Sequence, residues 1–160
     1  MRKLFILLAI IFCNYCHAQI DSVYIALGQS EKMMINFMNQ LNSRKPNPRF
    51  SVQRDTLKNG NPTLSAEFKP KDQSFYKCLN IRCIFEKVED KEYCISQLIH
   101  ASLEYLDHYI GYLNRNFALL KENVWEKDKF NNSNDLKIQA TLTRLPDETF
   151  VLVFDLIIKG

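Results

Sequence analysis

The sequence predicts an α+β domain in which a five-stranded, mainly antiparallel sheet packs against one long helix, in the order α-β-β-β-α-β-β. Three observations predict it. Residues 91–126 repeat apolar side chains at helical steps, residues 50–68 and 136–158 alternate apolar with polar side chains around turn signals, and no repeat or low-complexity stretch interrupts them. The chain has 160 residues, 46% of them hydrophobic and 24% charged, with four glycines and five prolines. That composition excludes collagen-like and wholly disordered chains and suits one domain with its own core.

The first element is an address rather than part of the fold. Arg2 and Lys3 precede an unbroken apolar run, Leu4 to Phe12, and Cys16-His17-Ala18 places small residues at −3 and −1 of a cleavage site. This pattern predicts a secretory signal peptide over residues 1–18, with Gln19 starting the exported chain in the periplasm or outside the cell. The run is far short of the ~20 residues that a spanning helix needs, so no transmembrane segment is expected. Neither Cys13 nor Cys16 follows small residues, which argues against lipidation. Losing Arg2 and Lys3 lowers the formal net charge from +3 to +1. A near-neutral surface gives nucleic acid and acidic membranes nothing to bind, because both require clustered Lys and Arg.

Residues 22–44 read as an amphipathic helix, with Asp21-Ser22 as its N-cap, Ala26, Met33, Phe37 and Leu41 on its apolar face and Arg44-Lys45-Pro46 as its end. Two short strands follow around Lys58-Asn59-Gly60-Asn61-Pro62. A three-residue loop, Asn59 to Asn61, puts Phe68 opposite Val52 and Leu64 opposite Thr56, and collects Phe50, Val52, Leu64, Ala66 and Phe68 on one face. A longer strand, Phe75 to Glu86, turns Leu79, Ile81, Cys83 and Phe85 inward.

The long helix is predicted over residues 91–126, where Ile99, Leu103, Leu106, Ile110, Leu113, Phe117, Leu120 and Val124 recur at steps of 4-3-4-3-4-3-4. A final hairpin closes the chain. Its loop, Pro146-Asp147-Glu148, sets Leu142 opposite Leu152, Ala140 opposite Phe154 and Ile138 opposite Leu156. The last strand is apolar on its other face too, where Val151, Val153 and Ile157 flank Asp155. Strands of that kind are covered on both faces, here by the first helix or by a partner.

The chain offers little chemistry. Of the three histidines, His100 and His108 fall on the predicted helix, spaced with Glu104 at i, i+4 and i+8 along one solvent-facing stripe that has the ligand types of a divalent site. There is no HExxH, no paired CxxC, no GxSxG elbow and no glycine loop for phosphate, so no catalytic residue and no cofactor are expected. Tyr105, Tyr109 and Tyr112 flank the helical seam. They are candidates for lining a small-molecule pocket between helix and sheet, although tyrosines so placed more commonly border the core with their hydroxyls in water. Cys78, Cys83 and Cys94 leave an odd thiol in an oxidising compartment. Within one continuous strand Cys78 and Cys83 lie about 16 Å apart on opposite faces, so Cys83–Cys94 and Cys78–Cys94 are the feasible bridges, and a buried reduced Cys83 is the alternative.

The order α-β-β-β-α-β-β resembles the type III secretion chaperone-like fold, which the YbjN family of small bacterial domains shares. The resemblance implies a protein-binding module without catalysis, and it assigns no residue a role. The expected function is therefore that of an exported, chaperone-like or immunity-like domain that binds another protein or a second copy of itself, through Val151, Val153 and Ile157. A small-molecule-binding domain with the tyrosine-lined pocket is the alternative.

Overall fold

The structure, a computed structural model, describes residues 23, 25–43, 50–69, 73, 77–88, 90–131 and 133–159. The expected signal peptide, Asp21-Ser22, Phe75 and Tyr76, and the side chains of Phe37, Met38, Leu41 and Phe50 lie outside the described residues. Helix α1 spans Glu31–Ser43. Strands β1 (Phe50–Thr56), β2 (Pro62–Phe68), β3 (Asn80–Val88) and β4 (Lys91–Ser102) follow, then a 3-10 turn at Leu103–Tyr105 and helix α2 (Leu106–Asn116). Strands β5 (Ala118–Lys121), β6 (Val124–Lys127), β7 (Leu136–Arg144) and β8 (Thr149–Ile158) complete the chain.

The eight strands form a single sheet in the order β1-β2-β3-β4-β8-β7-β6-β5. It consists of two antiparallel four-stranded meanders joined at the centre, where the last strand of each, β4 and β8, pair antiparallel from Ser96↔Asp155 to Ser102↔Thr149. One face carries the core. Cross-strand rows such as Leu64-Cys83-Gln97-Phe154-Ala140-Trp125 and Ala66-Ile81-Ile99-Leu152-Leu142 run across the molecule on that face. Leu106, Tyr109 and Leu113 of α2 and Met34 of α1 bury into the same cluster. Both helices therefore lie on one side of the sheet. The Glu31–Arg54 ion pair agrees, since Arg54 stands opposite Leu64 on the core face.

Among the described residues, the predicted five-stranded sheet with a long helix is thus corrected to a sheet of eight strands with the two short helices α1 and α2. Residues 91–102 are strand, because Tyr93, Ile95 and Ile99 favour the pleat and the β3 edge offers a full ladder of partners. A bulge hides the alternation: between Ile84↔Ser96 and Phe85↔Cys94 the chain spends the extra residue Ile95. Cys94 and Gln97 consequently both face inward three residues apart, a spacing that imitates a helix turn. The apolar seam read as one helix is divided among β4 (Ile99), the 3-10 turn (Leu103), α2 (Leu106, Ile110, Leu113), and the β5–β6 hairpin (Leu120, Val124), whose turn holds Asn123 at φ 58°.

The first helix is shorter than predicted. Ser30, not Asp21 or Ser22, caps it, its Oγ accepting from the Met33 N–H at 3.3 Å. Residues 25–29 form instead a strap, bent by a turn at Leu27-Gly28, whose backbone pairs with β4 beyond the last β4–β8 pair, Ser96↔Asp155: Gly28 N–H donates to the Cys94 carbonyl at 2.8 Å, and Cys94 N–H to the Gln29 carbonyl at 2.9 Å. Gln97, wholly buried in the core, accepts the Ala26 N–H at 2.6 Å and so ties the strap down. Gly28 turns the strap at φ +74°, with the Phe130 ring 2.8 Å from where a Cβ would stand.

In the first hairpin the expected face is present but the register is two residues off. Val52 pairs with Ala66 and Phe50 with Phe68, because the loop is Leu57 to Asn61, closed by Leu57 N–H to the Asn61 carbonyl. A shift of two keeps every side chain on its face. Strand β3 begins at Asn80 rather than Phe75, so Cys78 precedes it and the single strand expected to hold Cys78 and Cys83 does not exist. The last hairpin has the predicted register, Leu142↔Leu152, Ala140↔Phe154 and Ile138↔Leu156.

Candidate interaction surface

Alternation along β8 divides its side chains between two environments. Phe150, Leu152 and Phe154 are fully buried under the helices, whereas Val151, Val153 and Ile157 point to the other face and are half-buried. On that face Val153 stands beside Leu98 of β4, and Ile84 of β3 stands one row away opposite Ser96. With α1 and α2 on the core face, no described element covers this patch.

Its polar neighbours are satisfied among themselves. Ser96 Oγ donates to Asp155 at 2.6 Å, Lys137 pairs with Glu126 at 2.8 Å, and Arg82 Nε donates to Ser65 Oγ at 3.2 Å. At the rim next to Val151, Asn80, His100, Thr149 and Asp147 form one hydrogen-bonded chain. Thr149 has a single hydroxyl proton and gives it to Asp147, so its oxygen accepts from His100 Nε2–H at 2.9 Å, and His100 Nδ1 accepts from the Asn80 amide at 3.2 Å. The Thr149 hydrogen bond holds the Asp147 carboxyl below the usual carboxylate range. Leu98, Val151 and Val153 therefore adjoin one another on the open face, with the hydrogen-bonded Ser96–Asp155 pair between them and Ile157.

The remaining candidates occupy separate places. His100 is in β4, Glu104 in the 3-10 turn and His108 in α2, where its Nδ1 lies 3.0 Å from Lys77 Nζ. The stripe expected from helical spacing is absent, and no group of three His, Cys, Asp or Glu residues able to hold a metal ion occurs among the described residues. Tyr109 fills the space between α2 and the sheet. Its ring meets Phe150 edge-on at 5.4 Å, its hydroxyl donates to the Lys77 carbonyl at 3.2 Å, and burial pushes its pKa upward. Tyr105 and Tyr112 border the same core, half-buried. A shallow hollow of about 300 Å³ lies elsewhere, lined by Asn116 to Leu120 and Glu126 to Asp128 around exposed β5. Cys78, Cys83 and Cys94 are free and buried.

No family model matches the chain, and neither does any curated protein or solved structure. The element order on which the chaperone-like resemblance rested also differs from the observed one, with four strands on each side of α2. No described helix is long and apolar enough to cross a membrane. Function is accordingly read from the surface itself.

Sequence reasoning finds Val151, Val153 and Ile157 on this face. It misses Leu98, which falls within the predicted long helix, and the chain from Asn80 to Asp147. The signal for both lay where Val88 and Lys91 pair, which makes residues 91–102 the hairpin partner of β3.

Proposed function

We propose that the protein is an exported, non-catalytic binding module of the chaperone or immunity kind, which docks a folded protein on the open face of its sheet. The observation that carries this reading is the patch of Ile84, Leu98, Val151, Val153 and Ile157 at the centre of the sheet, which no described element covers and whose polar neighbours are hydrogen-bonded to one another. Apolar surface at the middle of a wide sheet, ringed by matched polar groups, is the anatomy of a protein contact. A folded partner fits better than an extended peptide, because a peptide binds to the backbone of a sheet edge and this patch lies between edges. The apolar run after Arg2-Lys3 supports export.

A photoreactive benzophenone residue at Val151, Val153 or Ile157, in cells that express the chain naturally, tests the docking face, with Lys58 in the β1–β2 turn as control. A discrete adduct from the three face positions and none from Lys58 is expected. Sedimentation of the purified chain then shows whether the partner is a second copy. A monomer that yields no adduct from any face position excludes the reading. Export is tested by N-terminal sequencing of the chain recovered outside the cytoplasm, which is expected to begin at Gln19.

A further inference from the structure

Two cysteines unused by the binding face have a specific arrangement. Cys83 and Cys94 sit on adjacent strands, on the same face and diagonally across the Ile95 bulge, with Cys83 opposite Gln97 and Cys94 opposite Phe85. Both are 0% exposed. We propose that Cys83 and Cys94 form a disulfide when the protein folds under oxidising conditions, stapling β3 to β4 at the bulge.

The geometry decides between the two bridges that the sequence leaves open. Leu79 N–H donates to the His100 carbonyl, so Cys78 lies at the His100 end of β4. Cys94 is six residues along β4 from that end, about 20 Å at the rise of a β-strand, and Cys83 stands opposite Gln97, three residues or about 10 Å from it. A disulfide requires Cα atoms within about 7 Å, which excludes both pairings. The Cys83 and Cys94 thiols are within hydrogen-bond reach of each other, and that hydrogen bond together with burial raises the Cys83 pKa. Cys78 is buried separately, beside Tyr109, and its thiol is pushed up to about 12 by burial. It is the odd thiol of the three.

The reaction needs an oxidant of the disulfide class, such as glutathione disulfide. The thiolate of one cysteine attacks the oxidant's sulfur and expels one thiol, giving a mixed disulfide. The thiolate of the other then attacks that cysteine's sulfur and expels the second thiol. Two electrons and two protons pass from the protein to the oxidant. Burial sets the timing: the bond forms in the β3–β4 hairpin before the strap and α1 close over it. Once formed, it fixes the Cys94 backbone on which Gly28 and Gln29 pair.

The experiment is refolding of the chain in a glutathione redox buffer, alkylation of remaining thiols, and non-reducing tryptic mapping. Cleavage after Lys77, Arg82, Lys87, Lys91 and Arg115 places Cys78, Cys83 and Cys94 on three different peptides. The expected product joins peptide 83–87 to peptide 92–115, with peptide 78–82 alkylated, and its mass falls by about two daltons for the two hydrogens lost. The oxidised chain should unfold at higher urea than the same chain with dithiothreitol. Cys78→Ala keeps that difference and Cys94→Ala loses it. Alkylated 83–87 and 92–115 peptides from refolded chain, or a linkage through Cys78, overturns the proposal whether or not any variant folds.

Discussion

At residue scale the clearest demand falls on Gly28, whose backbone is left-handed and whose missing side chain leaves room for Phe130. Gly60 has φ +88° but open space around it. Gly60→Ala is therefore expected to cost only backbone strain, about 1 kcal/mol. Gly28→Ala adds displacement of an aromatic ring and is expected to cost about 1–3 kcal/mol in urea unfolding. Equal costs would show that Phe130 does not hold the strap. Glu31 poses a different question, because one carboxylate oxygen is buried without a partner while the other binds Arg54 at 2.7 Å. Burial raises its pKa, Arg54 opposes the rise and Glu92 adds to it. A carboxyl that holds its proton more tightly folded than unfolded stabilises the fold at acid pH, and that contribution is lost as pH rises through the raised value. The stability of Glu31→Gln relative to wild type is thus expected to grow between about pH 4 and pH 7. A difference that is flat, or that grows in favour of wild type, excludes a raised Glu31.

At the scale of elements, the residues read as one helical seam give a direct test of the observed strand and helix boundaries. Leu113 and Leu120 would be equivalent in a continuous helix, one heptad apart. In the structure Leu113 is fully buried on α2, and Leu120 is 59% exposed on the edge strand β5. Leu113→Ala is expected to cost about 2–5 kcal/mol and Leu120→Ala less than about 0.5 kcal/mol, read from thermal or urea midpoints. Similar losses at both would favour the long helix. The seam misled because apolar residues at steps of three and four arise in two ways here: from α2 itself, and from a bulge that puts Cys94 and Gln97 on one face. Where β-strands alternate cleanly and a turn of defined length closes them, as in β7 and β8, the sequence specified even the register. Where the loop length was open, as between β1 and β2, it specified the face but not the partner. Short strands such as Ala118–Lys121, with every side chain exposed, carry no pattern to read.

For the whole molecule, the decisive fact is that both described helices, α1 and α2, share one side of an eight-stranded sheet. The doubly apolar β8 was visible in the sequence. Which face would stay open was not, because that depends on where α1 packs. Adjacent residues of β8 now separate folding from binding. Leu152 is fully buried between Ile99 and Leu142, so Leu152→Lys puts an unpaired charge in the core and should prevent cooperative folding. Val153→Lys places its ammonium on the open face beside Leu98 and Thr141, where the long side chain reaches water. It should leave the unfolding midpoint within about 1 kcal/mol of wild type while abolishing the adducts formed from Val151 and Ile157. Loss of folding in Val153→Lys would mean that this face belongs to the core; retention of both folding and adducts would mean that the partner docks elsewhere.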